Sequence, residues 1–494
     1  MVNHMAKKIA IIGSGMGGLA AGIYGQMNGY DTEIYEAHNV PGGQCASWKR
    51  NGYTFDACIH HLMGCKEGTR LGRLWQELGA LSGSLAKTRE LTAVAAPDGA
   101  MFIDYYNLDE LRSHMMDIAP EDAKAIEQYI KGIRSFIGKE MMGRMMIDGF
   151  VGMAGILPAM LGNMKYMNTS MERYALEFNN PLLRRAIPLL EYSIPEIPAA
   201  VHFAKHAAGT EGDIAWPVGA SVSLAASMAE KYRTLGGKLH LKQKVDKILT
   251  KNDSAVGLKL SGSGEVSADL VISNADGRKT IFEMLEGIYV NDDIRRWAGP
   301  NEDKTNWGTM IYYGVDRDLS TDPSALVLLQ DRPVTLTGLP ALSLELQTYG
   351  FDTTMAPAGK GVIKAELVSA YSYWDGLSEE EYQTRKQEAA DTVLTVLEQH
   401  FKDLRTQVET VDVVTLKTWE RFMGGTRGFN NGPLKPFSFM TLLSKPQATL
   451  PGLSGFYMAG TWVSGTGALF ANALSGKHVM MQICQQDGRA FGVL

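Results

Sequence analysis

A chain of 494 residues is too long for a single hydrophobic core, so we expect two domains or one domain with a large insertion. With 45% hydrophobic and 21% charged residues, the composition is typical of a soluble globular protein. A net charge of −6 and a pI near 6.0 argue against nucleic acid as a partner. Four cysteines in so long a chain favour a reducing, cytoplasmic compartment, and their spacing predicts no metal site. The N-terminus leads directly into the first apolar run, which leaves no room for a signal peptide.

The first unit, residues 8–36, is an apolar run rich in β-branched residues, a glycine-rich turn and a stretch of small residues. This order predicts a buried parallel strand, a dinucleotide-binding turn and a closely packed helix. In such a unit Gly13 makes the tight turn, Gly15 lets the backbone approach a pyrophosphate, and Gly18 permits close helix–sheet packing. Gly17 lies at the helix N-terminus, where free N–H groups and the helix dipole favour phosphate.

A second predicted strand ends at Glu36, whose carboxylate is placed to accept hydrogen bonds from a ribose diol. The residues that follow, from Ala37 through a Pro-Gly-Gly turn to Gln44, resemble the FAD-binding fold of glutathione-reductase-type and amine-oxidase-type flavoproteins. In that fold the second glycine pair, here Gly42 and Gly43, lies along the phosphate and ribityl side of the flavin. The resemblance therefore implies FAD rather than NAD, with Ala37 and Gln44 also beside the cofactor.

Residues 47–56 alternate like a strand pair around an Asn-Gly turn, which predicts a β-hairpin. The next segment, FDACIHHLMG, resembles the FD-x-G-x-H-x-x-G segment of retinol saturase and the carotenoid isomerases, relatives of the bacterial phytoene desaturases. The sequence departs from the family at Cys58, which replaces a glycine, and at Gln44, where many members carry arginine. The resemblance implies an acid/base role beside the flavin for His60 or His61, and the interval to the family's glycine favours His61. The alternative is one packed and one solvated histidine.

Residues 67–113 predict a helix and then short strands, and residues 120–208 are mostly helical in pattern. Within the latter, Met141 to Met167 is rich in methionine and glycine, and its apolar core is too short and too broken for a transmembrane helix. Two interpretations stay open. The segment is either a helical lid over the substrate or a monotopic patch that dips into a bilayer to collect a lipid substrate.

Two later segments resemble parts of the family's FAD domain. Residues 214–224 are predicted to open a helix, and the Gly-Gly segment after it resembles the family's return to the FAD domain, in which the residue at Val245 meets the adenine through its backbone. The segment ADLVISNAD, residues 268–276, is close to a signature of the phytoene desaturase group and implies that Asn274 lies beside the nucleotide. The central strand is predicted to end there.

The C-terminus closes the predicted site with a strand over residues 455–459, a glycine turn and a helix of small residues. The turn matches the relatives' A-G-x-W-x-x-x-G-x-G, with Thr461 where many flavoproteins have aspartate. A helix N-terminus here would support negative charge on a reduced flavin. The resemblance implies cofactor contacts for Gly460, Thr461, Trp462, Gly467, Ala468 and Leu469.

The predicted fold class is α/β, with an FAD-binding Rossmann-like domain and an inserted α+β substrate domain. The FAD domain is predicted to be discontinuous, and the substrate domain to carry the Met-rich segment and a sheet over residues 306–429. The predicted limits are 1–66, 215–290 and 430–494 for the FAD domain, and 67–214 and 291–429 for the substrate domain.

These features predict an FAD-dependent desaturase, saturase or isomerase that acts on carbon–carbon bonds of a long hydrophobic polyene or isoprenoid lipid. No second GxGxxG follows a strand, so electrons would pass to or from an external partner such as a quinone or oxygen, unless the reaction is redox-neutral. A flavin amine oxidase is the enzymatic alternative. A prenyl-lipid-binding protein on the same fold is the non-enzymatic alternative. The predicted localisation is cytoplasmic, with peripheral membrane contact under the second interpretation of the Met-rich segment.

Overall fold

The computed structural model describes residues 6–262, 264–298, 304–428 and 447–493. The strands of these residues are, in chain order, β1 (Lys8–Ile12), β2 (Asp31–Tyr35), β3 (Ser47–Arg50), β4 (Tyr53–Asp56), β5 (Leu62–Met63), β6 (Leu85–Ala86), β7 (Glu90–Ala95), β8 (Met101–Tyr105), β9 (Ile214–Pro217), β10 (Lys238–His240), β11 (Val245–Lys251), β12 (Ser254–Leu260), β13 (Gly264–Ser267), β14 (Leu270–Ser273), β15 (Lys304–Val315), β16 (Ala325–Leu336), β17 (Leu339–Thr348), β18 (Gly361–Ala370), β19 (Val408–Val414) and β20 (Phe456–Met458).

The α-helices of the same residues are α1 (Met16–Met27), α2 (Arg70–Glu77), α3 (Leu108–Ile118), α4 (Ala123–Arg134), α5 (Met141–Ile147), α6 (Gly149–Gly162), α7 (Met164–Met167), α8 (Met171–Ala175), α9 (Pro181–Ala186), α10 (Ala199–Thr210), α11 (Ala220–Thr234), α12 (Asp292–Trp297), α13 (Tyr371–Trp374), α14 (Glu379–Leu397), α15 (Leu404–Gln407), α16 (Leu416–Met423), α17 (Thr461–Ser464) and α18 (Leu469–Gln486). Short 3₁₀ turns cover Pro120–Asp122 and Ile187–Leu189, and a π turn covers Lys279–Met284. Among the described helices, none has the length and apolar content that a membrane span requires.

A five-stranded parallel sheet in the order β10-β2-β1-β14-β20 carries the glycine turn. The apolar run that predicted β1 is fully buried at its centre, as a strand flanked on both sides must be. Helices α1 and α18 pack on one another with little space between them, since a Cβ on Gly476 would lie 2.2 Å from the Gly17 carbonyl oxygen. The predicted Rossmann-like domain in an α/β fold is confirmed. β14 is an interior strand between β1 and β20, whereas the central strand of the five is β1 and not, as predicted, the strand that ends before Asn274.

A second sheet has seven strands in the order β19-β15-β18-β17-β16-β7-β8 and is antiparallel except where β16 meets β7. Five of its strands, β15 to β19, correspond to the sheet that the sequence predicts over residues 306–429, and β7 and β8 join them from residues 90–105. The segment of 120–208 is helical as predicted. The Met-rich segment forms α5, α6 and α7, which are separated at Asp148, just before Gly149 with its φ of +54°, and at Asn163.

One prediction is wrong. Residues 214–217 do not open a helix but form β9, which lies between β5 and β6, and the helix begins only at Ala220. The reason is tertiary, because Ile214–Pro217 pairs on one side with Leu62–Met63 and on the other with Leu85–Ala86. The predicted domain limits stay a prediction, and residues 429–446, which include the start of the third FAD segment, lie outside the described residues.

Candidate functional site

The first glycine turn has the close contacts that a dinucleotide-binding turn requires. Gly13 has a φ of +86° and donates its N–H to the Tyr35 carbonyl at 2.9 Å. A Cβ on Gly18 would lie 2.0 Å from the Gly13 carbonyl oxygen, so helix and turn touch through backbone alone. Gly15 is the N-cap of α1 and supplies no side-chain cap. The first N–H groups of α1 are therefore not satisfied by a cap and can bind phosphate.

Glu36 lies directly beside this turn, at the end of β2. One carboxylate oxygen accepts from the Ser14 N–H at 2.8 Å and the Ser14 hydroxyl at 2.7 Å, and the other accepts from the His38 N–H at 2.9 Å. These bonds hold the carboxylate at the carboxyl end of the sheet. A carboxylate has about four acceptor positions, so it retains capacity for the ribose diol.

The second glycine pair packs against the first turn. Gly42 donates its N–H to the Ser14 carbonyl at 3.0 Å, and a Cβ on Gly43 would lie 3.2 Å from the Gly15 Cα. Gly42 and Gly43 have φ values of +120° and +58°, which favour glycine. The sequence analysis predicts that both glycine turns lie beside one cofactor, and the structure brings the two turns into contact. Ala37 and Gln44 lie on either side of the second turn in the chain.

Asn274 follows β14 and lies among three glycines of the predicted site. A Cβ on Gly15 would be 2.7 Å from the Asn274 Nδ2, and a Cβ on Gly17 or Gly460 would be 2.5 Å from its Oδ1. This Oδ1 is buried and has no hydrogen-bond partner among the described residues. A buried amide oxygen without a partner costs about 1–3 kcal/mol, so this oxygen fits a hydrogen-bond donor of a bound group, such as a ribose hydroxyl, and the uncapped helix end fits its phosphate.

The C-terminal turn completes this edge of the sheet. Gly460 donates its N–H to the Ser475 hydroxyl at 2.7 Å, and Thr461 donates its hydroxyl to the Asn472 Oδ1 at 3.2 Å. The ring of Trp462 lies against Gly277, where a Cβ would be 2.3 Å from the indole. The remaining predicted residues, Gly467, Ala468 and Leu469, lead into α18, which has no side-chain cap.

Val245 lies at the ribose side of the same edge. It is buried at the start of β11. The segment before it is joined to the end of β2 by two backbone hydrogen bonds, from the Gln243 N–H to the Glu36 carbonyl at 2.8 Å and from the Lys242 N–H to the His38 carbonyl at 2.9 Å. The predicted cofactor residues thus converge at the carboxyl ends of the parallel strands. Their individual contacts with FAD stay a prediction.

His60 lies against the seven-stranded sheet. Its Nε2 is 2.6 Å from a carboxylate oxygen of Glu366, and the other oxygen of Glu366 is 2.7 Å from the Lys364 Nζ. Burial alone would raise the pKa of Glu366, but His60 and Lys364 bring it down to about 2. Glu345 is the cross-strand neighbour of Glu366, and one of its carboxylate oxygens lies within 4.8 Å of a ring nitrogen of His60 and a carboxylate oxygen of Glu366. The imidazole is therefore oriented by an ionised carboxylate.

His61 is partly buried and lines a small cavity together with His60, and its buried Nδ1 has no hydrogen-bond partner in the described chain. Burial, with the charge of Lys205 and the neighbouring His60, holds the pKa of His61 well below its ordinary value. The imidazole is therefore neutral near pH 7 and has one nitrogen free to accept a proton. The cavity around the two histidines is lined by Thr92, Leu189, Leu190, Tyr192, Lys205, Ala325, Leu326, Val327, Glu345 and Leu346.

The sequence analysis did not identify the charged partners of these histidines. Lys364 and Glu366 are both fully buried in β18, two positions apart and so on one face of the strand. Two oppositely charged residues two positions apart in an otherwise apolar strand could have been recognised in the sequence as a buried ion pair. Lys205 and its buried partner Glu191, 3.1 Å apart, lie in the helical region, where no pattern distinguished them.

Comparison with known proteins identifies the class. A family described as NAD(P)-binding Rossmann-like domain matches residues 11–78, and one described as flavin containing amine oxidoreductase matches residues 190–479. Fold and site together define an FAD-dependent oxidoreductase. The chain belongs to the flavin containing amine oxidoreductase family, and its cofactor is FAD.

Curated relatives extend over most of the chain. It is 26% identical to prolycopene isomerase 2 of an Oncidium hybrid cultivar over 91% of this chain and 79% of that protein. It is 21% identical to a 4,4'-diapophytoene desaturase of Methylomonas over 92% and 90% of the two chains, and 26% identical to a phytoene desaturase of Cereibacter sphaeroides over 62% and 60%. The predicted resemblance to this group is confirmed.

Solved structures confirm the fold. An oxidoreductase from Methanosarcina mazei matches with a TM-score of 0.63 and 18% identity, covering 96% of this chain and 99% of that one. Cyclohexylamine oxidase from Brevibacterium oxydans matches with a TM-score of 0.58 and 14% identity, covering 98% and 100%.

We expect Gly15→Val to abolish FAD binding, because its side chain would fill the space between the turn and Asn274. Bound FAD per chain, measured by absorbance after denaturation, tests this. Gly83→Val is the matched control, since a Cβ there meets nothing within 4 Å. A yellow Gly15→Val protein with wild-type FAD content would contradict the assignment of this turn.

We expect His61 to make the protein less stable in acid. The pKa of His61 is lower in the folded chain, so below about pH 6.5 the unfolded chain takes up a proton that the folded chain does not. The free energy of unfolding therefore falls with decreasing pH, by up to about 1.4 kcal/mol per pH unit. In His61→Phe this loss should be absent, and urea unfolding from pH 7 to pH 5 should show a shallower decline than in wild type. Parallel curves would contradict the burial of a neutral His61.

Proposed function

We propose that this FAD enzyme acts on carbon–carbon bonds of a long hydrophobic polyene or isoprenoid, as a desaturase, saturase or isomerase. The observation that carries the proposal is the relationship, over 91% of the chain, to a protein named prolycopene isomerase.

When bound, FAD supplies hydride or electron transfer, and the protein supplies orientation, proton handling and exclusion of water. The contacts of the two histidines support different roles for them. His60 is held by Glu366 and positions the segment against the seven-stranded sheet. His61 has a buried Nδ1 without a partner among the described residues, which makes it the candidate to take a proton from a substrate carbon, and its lowered pKa favours return of that proton.

Electrons would leave or enter through an external partner, for which a quinone and oxygen are the two candidates. A flavin amine oxidase is the second candidate function, supported by the family match over residues 190–479. Amines therefore belong in the substrate panel beside carotenoids, retinoids and fatty acids.

The test is anaerobic incubation of the holoenzyme with each class, followed by flavin absorbance and chromatography of products. We expect a polyene to bleach the flavin or to be isomerised, and amines to leave it unchanged. Flavin bleaching by an amine, with no change to any polyene, would instead establish the second candidate. Adding oxygen or a soluble quinone after bleaching identifies the electron acceptor by return of the oxidised spectrum.

On the substrate so found, we expect His61→Phe to lower kcat by about 10² to 10⁴, the usual contribution of a general acid or base, with FAD still bound. His60→Gln retains a hydrogen-bonding side chain opposite Glu366 and should cause a smaller loss. Near-normal turnover in both variants would make the pair structural, with catalysis dependent on the flavin and positioning alone.

We further propose that α6 and α7 contact a bilayer from which the substrate is collected. The 14 residues of α6 contain no charged side chain. Val151, Leu157, Leu161 and Met164 are 82%, 51%, 57% and 51% exposed. An exposed apolar helix of this kind is typical of monotopic membrane contact.

We expect the protein to sediment with neutral phosphatidylcholine liposomes with little dependence on salt, and the double variant Val151→Asp/Leu157→Asp to stay in the supernatant with its FAD content unchanged. Ile288→Asp/Leu342→Asp is the matched control, because it places the same two charges at apolar positions that are 63% and 56% exposed in other parts of the chain. Wild-type protein that ignores liposomes would leave the helical lid as the role of these helices.

A further inference from the structure

Two of the four cysteines meet beside the cofactor turn. The Sγ atoms of Cys45 and Cys58 are 3.6 Å apart, with Cys45 buried and Cys58 partly exposed. The other two thiols are placed differently. Cys65 donates to the Leu62 carbonyl at 3.1 Å, and Cys484 is buried in α18.

The β3–β4 hairpin sets this approach. Ser47 is opposite Asp56 at the end of the hairpin, and Ala57 donates its N–H to the Ala46 carbonyl at 3.0 Å, so the two chains leave the hairpin side by side toward Cys45 and Cys58. The S–S bond of a disulfide is about 2.05 Å long, so the two sulfurs have to move closer by about 1.5 Å for the bond to form.

The pair links two parts of the site. Cys45 donates its N–H to the carbonyl of Gly42, in the second glycine pair, at 3.1 Å. Cys58 donates its N–H to Asp56 at 3.0 Å and lies two residues before His60. A bond between the sulfurs would connect the cofactor turn directly to the histidine segment.

We propose that Cys45 and Cys58 form a redox-active dithiol that closes to a disulfide by exchange with a small-molecule disulfide of the glutathione class. Disulfides in reducing compartments are mostly transient and redox-sensing, which suits a pair with one accessible sulfur. The inference goes beyond the proposed function and does not depend on which substrate the enzyme uses.

The exchange has two steps. Cys58, the accessible thiol, attacks one sulfur of the external disulfide, whose S–S bond breaks, so that one small thiol leaves with the proton and a mixed disulfide remains on Cys58. Cys45 then attacks the Cys58 sulfur, the mixed bond breaks, and the second small thiol leaves. The two cysteines lose two electrons and two protons, and one external disulfide gains them as two thiols.

The order of the steps follows from the surroundings of the two thiols. The contact with Cys58, together with burial, raises the pKa of the Cys45 thiol well above its ordinary value. Cys45 is thus unreactive toward external reagents and is placed to react only with the sulfur beside it.

The experiment equilibrates the FAD-loaded protein with reduced and oxidised glutathione at a series of ratios, then alkylates free thiols under denaturing conditions for mass spectrometry. Trypsin cuts after Lys49 and Arg50, between the two cysteines, so a linked pair of peptides reports closure. Because Cys58 and Cys65 share one tryptic peptide, the same titration is made on Cys65→Ser.

We expect two thiols to disappear together as the ratio becomes oxidising, with Cys65 and Cys484 alkylated throughout. Cys45→Ser should stop at a glutathione adduct on Cys58, and Cys58→Ser should leave Cys45 unmodified. Cys484→Ser is a second control and should close like wild type. A wild-type protein that keeps all four thiols, or that holds a stable adduct without closure, overturns the proposal.

This readout is independent of turnover, so failure of the substrate proposal leaves it unaffected. Since the wild-type titration alone decides between closure and no closure, a variant that fails to fold does not remove the test.

Discussion

The buried carboxylate of Asp56 holds together the parts from which the site is built. One oxygen accepts from the N–H groups of Cys58 and Ile59, and both oxygens accept from Ser221 at the start of α11. The backbone carbonyl of Asp56 accepts from the Tyr312 hydroxyl of the seven-stranded sheet at 3.0 Å. One residue thus fixes the end of the hairpin, the histidine segment, the helix α11 and the second sheet. Removal of this carboxylate would leave several buried N–H and O–H donors without an acceptor, and an unsatisfied buried donor costs more free energy than a typical hydrogen bond contributes.

Charge compensation in the second sheet depends on that anchoring. Glu345 and Glu366 are opposite one another on adjacent strands, an arrangement that like charges disfavour. The pair is tolerated because Lys364 and His60 each approach Glu366 within ion-pair distance. Since His60 comes from the segment that Asp56 holds, the orientation of the imidazole and the stability of the buried charges have one common origin.

The cofactor side depends on a different constraint, the close approach of backbone segments. Gly18, Gly43 and Gly476 occupy positions where a Cβ would lie 2.0, 3.2 and 2.2 Å from backbone atoms of a neighbouring segment. Because these contacts leave no room for side chains, turns that are distant in sequence reach one edge of the parallel sheet. The uncapped N-terminus of α1 and the unpartnered Asn274 oxygen lie at this edge, because Asn274 is next to Gly15 and Gly17.

The sequence by itself determined the FAD unit. A buried strand, a glycine turn and a ribose acid at fixed spacing involve only local geometry, so Gly13 to Glu36 was predictable, as was the hairpin around Asn51. Only the tertiary structure decided that residues 214–217 form a strand, since their partners lie more than 100 residues away. It alone also joined His60 to Glu366 and Cys45 to Cys58. The first of these pairs is 306 residues apart in the chain, and the second depends on the register of the hairpin. Neither contact can therefore be predicted from a local sequence pattern.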